Sequence, residues 1–162
     1  MRRLATWIGF LSFALLSTAP ELAAEPVQVP RSVPYAEDAR VAENIKRECT
    51  TLGTKLATFL ANSAAAKGLE VAAADAVDPQ APGRVFVVEI TDVASGGNAF
   101  IGHRKSMSAR GELFVDGVSQ GDVDFTRNSG GGFGGGFKGS CAVLGRCTKA
   151  LGQDLAGWLA EQ

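Results

Sequence analysis

The stretch that most limits the possible folds is an alternating run that ends in a two-residue turn. From Lys105 to Val115, Met107, Ala109, Leu113 and Val115 share one parity, and Ser106, Ser108, Arg110 and Glu112 share the other. A period of two marks a strand with one buried and one solvated face. Asp116-Gly117 follows, a pair that accepts the positive φ angles of a tight hairpin turn. The chain must therefore return from Val118 as an antiparallel partner. That return, Val118 to Arg127, is out of step. A tight turn sets Val118 opposite Val115, yet Val123 and Phe125 then have the wrong parity for the same face. One extra residue near Ser119–Gly121 restores them, because a slip of one flips every side chain. The sequence predicts a β-bulge there.

Val85 to Val93 is nearly continuous in apolar and β-branched residues, as expected of a central strand, and Ser95-Gly96-Gly97-Asn98 should break it. Leu69 to Val77 reads as a short strand closed by the turn cluster Asp78-Pro79-Gln80-Ala81-Pro82-Gly83. Two amphipathic stripes flank these strands. Val41, Ile45, Cys49, Leu52, Leu56, Phe59 and Leu60 predict a long helix from about Glu37 to Lys67-Gly68. Glu37 and Asp38 would sit in its first turn, where the dipole favours acids. Leu144, Cys147, Leu151, Leu155, Trp158 and Leu159 predict a second helix from about Ser140, the expected N-cap, to the carboxyl end. Pro26, Pro30 and Pro34 make residues 25–36 an extended lead-in, or at best an edge strand. The expected fold class is α+β. Residues 37–162 would form one two-layer sandwich, a mostly antiparallel four-stranded sheet (five with an edge strand) with two long helices on one face.

Residues 1–24 have the layout of a cleavable secretory signal. Arg2 and Arg3 precede an apolar run from Leu4 to Leu16, and Leu22-Ala23-Ala24 fits the small-residue cleavage rule, giving a mature start at Glu25. The run is shorter than the roughly 20 residues that span a bilayer. No cysteine follows the cleavage site to accept a lipid, and no later segment of the sequence is apolar enough to be an integral membrane span. The expected location is the periplasm. Lys+Arg number 16 against 17 Asp+Glu, a balance that gives no electrostatic case for nucleic acid.

An oxidising compartment turns attention to Cys49, Cys141 and Cys147. Six residues of continuous helix separate Cys141 from Cys147 by about 9 Å of rise, beyond disulfide reach. Cys49 lies on the stripe of the first helix, so Cys49–Cys141 and Cys49–Cys147 are both open. The first is favoured, because a loop-to-helix junction gains most from a tether, and Cys147 would then be a buried free thiol. These spacings suggest no metal site, and no cofactor is expected.

His103, in Gly102-His103-Arg104-Lys105-Ser106, is the single histidine, which excludes a two-histidine metal site. With Arg104 and Lys105 it could hold an anion or centre a small hydrolase, although no Gly-x-Ser-x-Gly elbow is present. The run Gly130-Gly131-Gly132-Phe133-Gly134-Gly135-Gly136-Phe137 precedes a helix, the geometry that cradles phosphates. It matches Gly-x-Gly-x-x-Gly, as almost any glycine run would. No strand–helix–strand order or ribose-binding acid accompanies it, and Lys138 is followed by Gly139, so the Walker pattern fails. A loop whose Phe133, Phe137 and Lys138 touch a partner, or fold over the sheet, is the better reading. Asp122 and Asp124 alternate with Val123 and Phe125 and should face solvent.

Ile90-Thr91-Asp92-Val93, Gly97-Asn98-Ala99-Phe100-Ile101-Gly102-His103-Arg104-Lys105-Ser106, Phe137-Lys138-Gly139-Ser140-Cys141 and Leu151-Gly152-x-Asp154-Leu155-x-x-Trp158-Leu159 together resemble a family of exported proteobacterial proteins of unknown function. The element order is also similar to the small α/β domain at the amino end of the Tol–Pal propeller protein and of curli-type secretion lipoproteins. The resemblance implies an envelope protein with no assigned activity. Together with the two unusual loops, it points to a non-enzymatic binding or assembly module whose partner is another envelope protein.

Overall fold

The computed structural model describes residues 25–98, 102–129 and 139–162. Among these residues, six strands and three helices follow in the order β1 (Val27–Pro30), β2 (Tyr35–Val41), α1 (Glu43–Glu48), α2 (Leu52–Ala65), β3 (Val71–Ala74), β4 (Arg84–Asn98), β5 (Gly102–Val115), β6 (Val118–Ser129) and α3 (Ser140–Leu159). One mixed sheet runs β3-β1-β4-β5-β6, with β2 also pairing β4. The fold class is α+β, as expected. The four-stranded, mostly antiparallel sheet is not what forms: β4, β5 and β6 are antiparallel, whereas β1 is parallel to both β3 and β4, and β2 is parallel to β4.

The antiparallel part follows the alternation of its sequence. Val115 pairs Val118, Phe114 pairs Ser119, and Leu113 pairs Gly121, which leaves Gln120 as the extra residue. The bulge thus falls inside the Ser119–Gly121 window and returns Val123 and Phe125 to the face packed on the core. Asp116 and Gly117 take φ of 50° and 80°, as the turn requires. Gly83 docks on this turn: its N–H donates to Asp116 Oδ1 at 2.8 Å, and its carbonyl accepts from Asp116 N at 2.9 Å.

The proline-rich segment departs from expectation. Residues 25–36 are not a lead-in: β1 lies between β3 and β4, with Val27 and Val29 buried. The prolines are accommodated because β1 is only four residues long and Pro26 precedes it. At Ser32–Pro34 the chain breaks away from β4 and resumes as β2. The first turn of α2 presses into the break. Val33 N donates to the Gly53 carbonyl at 3.2 Å, and a Cβ at Gly53 would collide with the Val33 carbonyl oxygen.

Glu37 and Asp38 therefore lie in β2 rather than in a helix. The long helix predicted from Glu37 is cut to α1 and α2, with Cys49 and Thr51 at the junction. Spacings of four through Val41, Ile45 and Cys49 resemble a helical stripe, but parallel pairing of β2 with β4 takes the first part of it. The far end holds: α2 finishes at Ala65, and Gly68 has φ of 81°, the left-handed position that glycine fills most easily. The predicted Leu69–Val77 strand shortens to Val71–Ala74.

α2 and α3 pack side by side, α3 over β5 and β6, and α2 beside β1 and β3. Phe86, Val88, Ile90, Met107, Ala109 and Leu113 meet Leu56, Leu60, Leu144, Leu151 and Leu155 in one buried cluster. Two glycines permit the closest approaches. A Cβ on Gly152 of α3 would lie 2.7 Å from Phe59 Cβ and 2.8 Å from Leu60 N of α2, and one on Gly111 would collide with the Phe86 ring. The Phe86 ring also stacks on Trp158, centroids 5.7 Å apart. The N-cap of α3 is Gly139, with no side-chain hydrogen bond, so Ser140 does not cap it and forms the first helical turn instead.

Candidate functional site

Two places in the body collect the chemically distinctive side chains. The first is the end of the sandwich where α3 begins. A disulfide joins Cys49, at the α1–α2 junction, to Cys141, the second residue of α3, with Cα atoms 5.3 Å apart. Cys147, nearly two turns on, is a free thiol with 1% exposure. Its Sγ approaches the Lys105 carbonyl at 4.0 Å, and burial pushes its pKa up.

Lys105 is the one member of the His103–Arg104–Lys105 group whose side chain is described. It is 4% exposed, on the core side of β5, and its ammonium donates to Ser95 Oγ across the strand pair. Lys105 is thus turned into the body and drops out of the proposed anion-holding loop. The loop itself is shorter than expected. β4 continues through Ser95-Gly96-Gly97 to Asn98, and β5 starts at Gly102, with His103 paired to Gly97. The side chains of His103 and Arg104 lie outside the described residues, as do the Ala99–Ile101 patch and Phe133, Phe137 and Lys138 of the glycine run.

The second place is the sheet face opposite the helices. Glu89, Arg110, Glu112, Asp122 and Asp124, with Val87 and Gly111, line a cavity of about 370 Å³. Asp122 and Asp124 are exposed there, as the alternation predicts. Arg110 Nη2 lies 2.8 Å from Glu89 Oε2 and 3.8 Å from Asp38 Oδ1. The hydrogen bond and charge of Glu89 hold the guanidinium pKa above its usual value. Ser119 Oγ donates to Glu112 Oε1 at 2.6 Å. Arg110 among Asp38, Glu89, Glu112, Asp122 and Asp124 makes this a negatively charged, solvated face. Glu89 could have been found from the sequence as one of two acids, with Asp92, inside an apolar central strand. Arg110 and Glu112 stand on the polar parity of β5, but their convergence with Glu89 depends on strand register.

A third contact ties the two layers at the sheet edge. Arg127 of β6 forms a two-pronged pair with Asp154 of α3, Nη2 to Oδ1 at 2.6 Å, which raises the arginine pKa. Among the described residues no group of three His, Cys, Asp or Glu side chains is placed to hold a metal ion, and no helix is long and apolar enough to cross a membrane.

Comparison with known proteins defines the fold and leaves the family open. No family model and no curated protein matches the chain. Solved structures do. PelC from Paraburkholderia phytofirmans, in a single-substitution form solved as a dodecamer, is similar with a TM-score of 0.54 at 16% identity, covering 82% of this chain and 87% of that one. A second crystal form of the PelC dodecamer from the same organism gives 0.51 at 16% identity, over 82% and 89% of the two chains. The likeness covers 82% of this chain and shows that the α+β arrangement is shared with PelC.

Proposed function

We propose that the chain is a non-enzymatic module of the cell envelope that works by assembly, with copies of itself or with another envelope component. The observation that carries the reading is the likeness to PelC over most of both chains, since that protein is solved as a dodecamer. Two features of the chain support it. The disulfide fits an oxidising, exported location, in keeping with the signal-like residues 1–24 and a periplasmic mature protein. The body also has two different sheet edges, β6 on one side and β3 and β2 on the other. Unlike edges suit head-to-tail contacts, which close into rings when the rotation allows.

The test is the mass of oxidised protein, residues 25–162, by native mass spectrometry and light scattering over a wide concentration range. It is paired with in-cell crosslinking of the full-length chain. A discrete oligomer, or one recurrent envelope partner, supports the reading. A monomer at every concentration with no recurrent crosslink overturns it.

A further inference from the structure

The native disulfide joins cysteines 92 positions apart, while a third cysteine lies six positions from one of them. Loop-closure probability falls as about the three-halves power of loop length, so in the unfolded chain Cys141 meets Cys147 roughly sixty times more often than it meets Cys49. Yet the short pairing cannot exist in the folded protein. α3 is continuous from Ser140 to Leu159, and six helical residues rise about 9 Å, whereas disulfide Cα atoms lie within about 7 Å. The pair favoured in the unfolded chain is therefore the one that α3 forbids.

We infer that the Cys49–Cys141 bond forms in two steps: a local Cys141–Cys147 disulfide is made first, and Cys49 then displaces Cys147 from it. In the first step the Cys141 and Cys147 thiols give two electrons and two protons to a small disulfide oxidant, which leaves as two thiols. In the second, the Cys49 thiolate attacks Cys141 Sγ. The Cys49–Cys141 bond forms, the Cys141–Cys147 bond breaks, and Cys147 departs as a thiolate that takes up a proton. No electrons are gained or lost overall in this exchange.

Folding then makes the step one-way. Once the first turns of α3 form, Cys147 is 1% exposed against the β5 backbone, and burial keeps it a thiol, a poor nucleophile. The exchange uses the chain's own Cys49 thiolate, so the only outside reactant this chemistry requires is the disulfide oxidant of the first step.

Reduced, unfolded protein (residues 25–162) is diluted into a mixture of oxidised and reduced glutathione, quenched with an alkylating agent at intervals, and mapped by peptide mass spectrometry. Cys141–Cys147 should be the dominant early species and decay as Cys49–Cys141 grows. With oxidised glutathione alone the wild type should still pass through the local bond, whereas Cys147→Ala should reach the native bond without that intermediate or its lag. Native bond as the first species in the wild type, with the same time course in Cys147→Ala, overturns the inference. Should Cys147→Ala fail to fold, the order of appearance in the wild type alone decides it.

Discussion

The β4–β5–β6 meander closes through short connections, whereas β1, β2 and β3 reach the sheet by pairings far apart in sequence, Val27 with Arg84 and Tyr35 with Ile90. The meander carries its own instructions: alternating faces, an Asp-Gly turn and one bulge. The parallel side carries almost none. Two of its strands, β1 and β3, have four residues each, and β1 follows Pro26 and ends on Pro30. What holds it is long-range, namely α2 lying against α3, the Gly53–Val33 contact and the Cys49–Cys141 disulfide. Local chemistry thus builds one side, and cross-links secure the other.

The strongest way to break this contrast is Cys49→Ala with Cys141→Ala. A loop of this length is worth about 4–5 kcal/mol in the chain-entropy account. Urea unfolding should show most of that loss, and hydrogen exchange should rise in α1, α2 and β1 before β5 and β6. Equal loss of protection on both sides would show that the two are not separable. Gly152→Val comes next, at about 3 kcal/mol, because its side chain must enter the space of Phe59 and Leu60. The same pattern of exchange is expected, with the helix seam opened directly. Deleting Gln120 tests the other side. Without the extra residue, Val123 and Phe125 face solvent or the turn must be rebuilt, a cost of about 2 kcal/mol in thermal unfolding, with amide protection lost in β6 first.

The Cys147 thiol gives a smaller, pH-dependent effect. Its pKa is raised in the folded state, so the unfolded chain ionises first. Its contribution is complete below the unfolded thiol pKa of about 8.5 and is lost as pH climbs through the raised folded value. Unfolding midpoints of the oxidised protein should fall on the alkaline side, and Cys147→Ala should flatten that fall. Smallest is Arg127→Ala. The pair with Asp154 is half open to water, so the melting temperature should stay within about 2 °C of wild type.

The meander is legible in the sequence because a period of two together with a turn dipeptide specifies pairing, parity and even the place of the bulge. α3 is legible for the related reason that its stripe is unbroken over twenty residues. The parallel side misleads where a strand and a helix offer similar spacings. Val41, Ile45 and Cys49 suit a helical stripe, and only pairing of β2 with β4 removes the first part of it. Prolines at Pro26 and Pro30 argue against an interior strand, but β1 is only four residues long, with Pro26 just before it and Pro30 as its last residue. Lys105 misleads because a lysine beside a histidine and an arginine looks like surface charge, while its parity in β5 already places it with Met107 and Ala109. The acidic face needs four strands in register, β2, β4, β5 and β6, and cannot be assembled from any one of them.

The placement of β1 between two neighbours has a mechanical consequence. Its chain enters at Glu25 and runs along β4 in the same direction. Tension applied to the amino end along the strand axis therefore loads the ladders to β3 and β4 together, in shear, so their bonds must yield collectively. An edge strand pulled sideways would instead unzip one bond at a time. A body tethered or hauled from its amino end would resist as a unit, and the Ser32–Pro34 break, pinned by Gly53, is the first place where slack could enter.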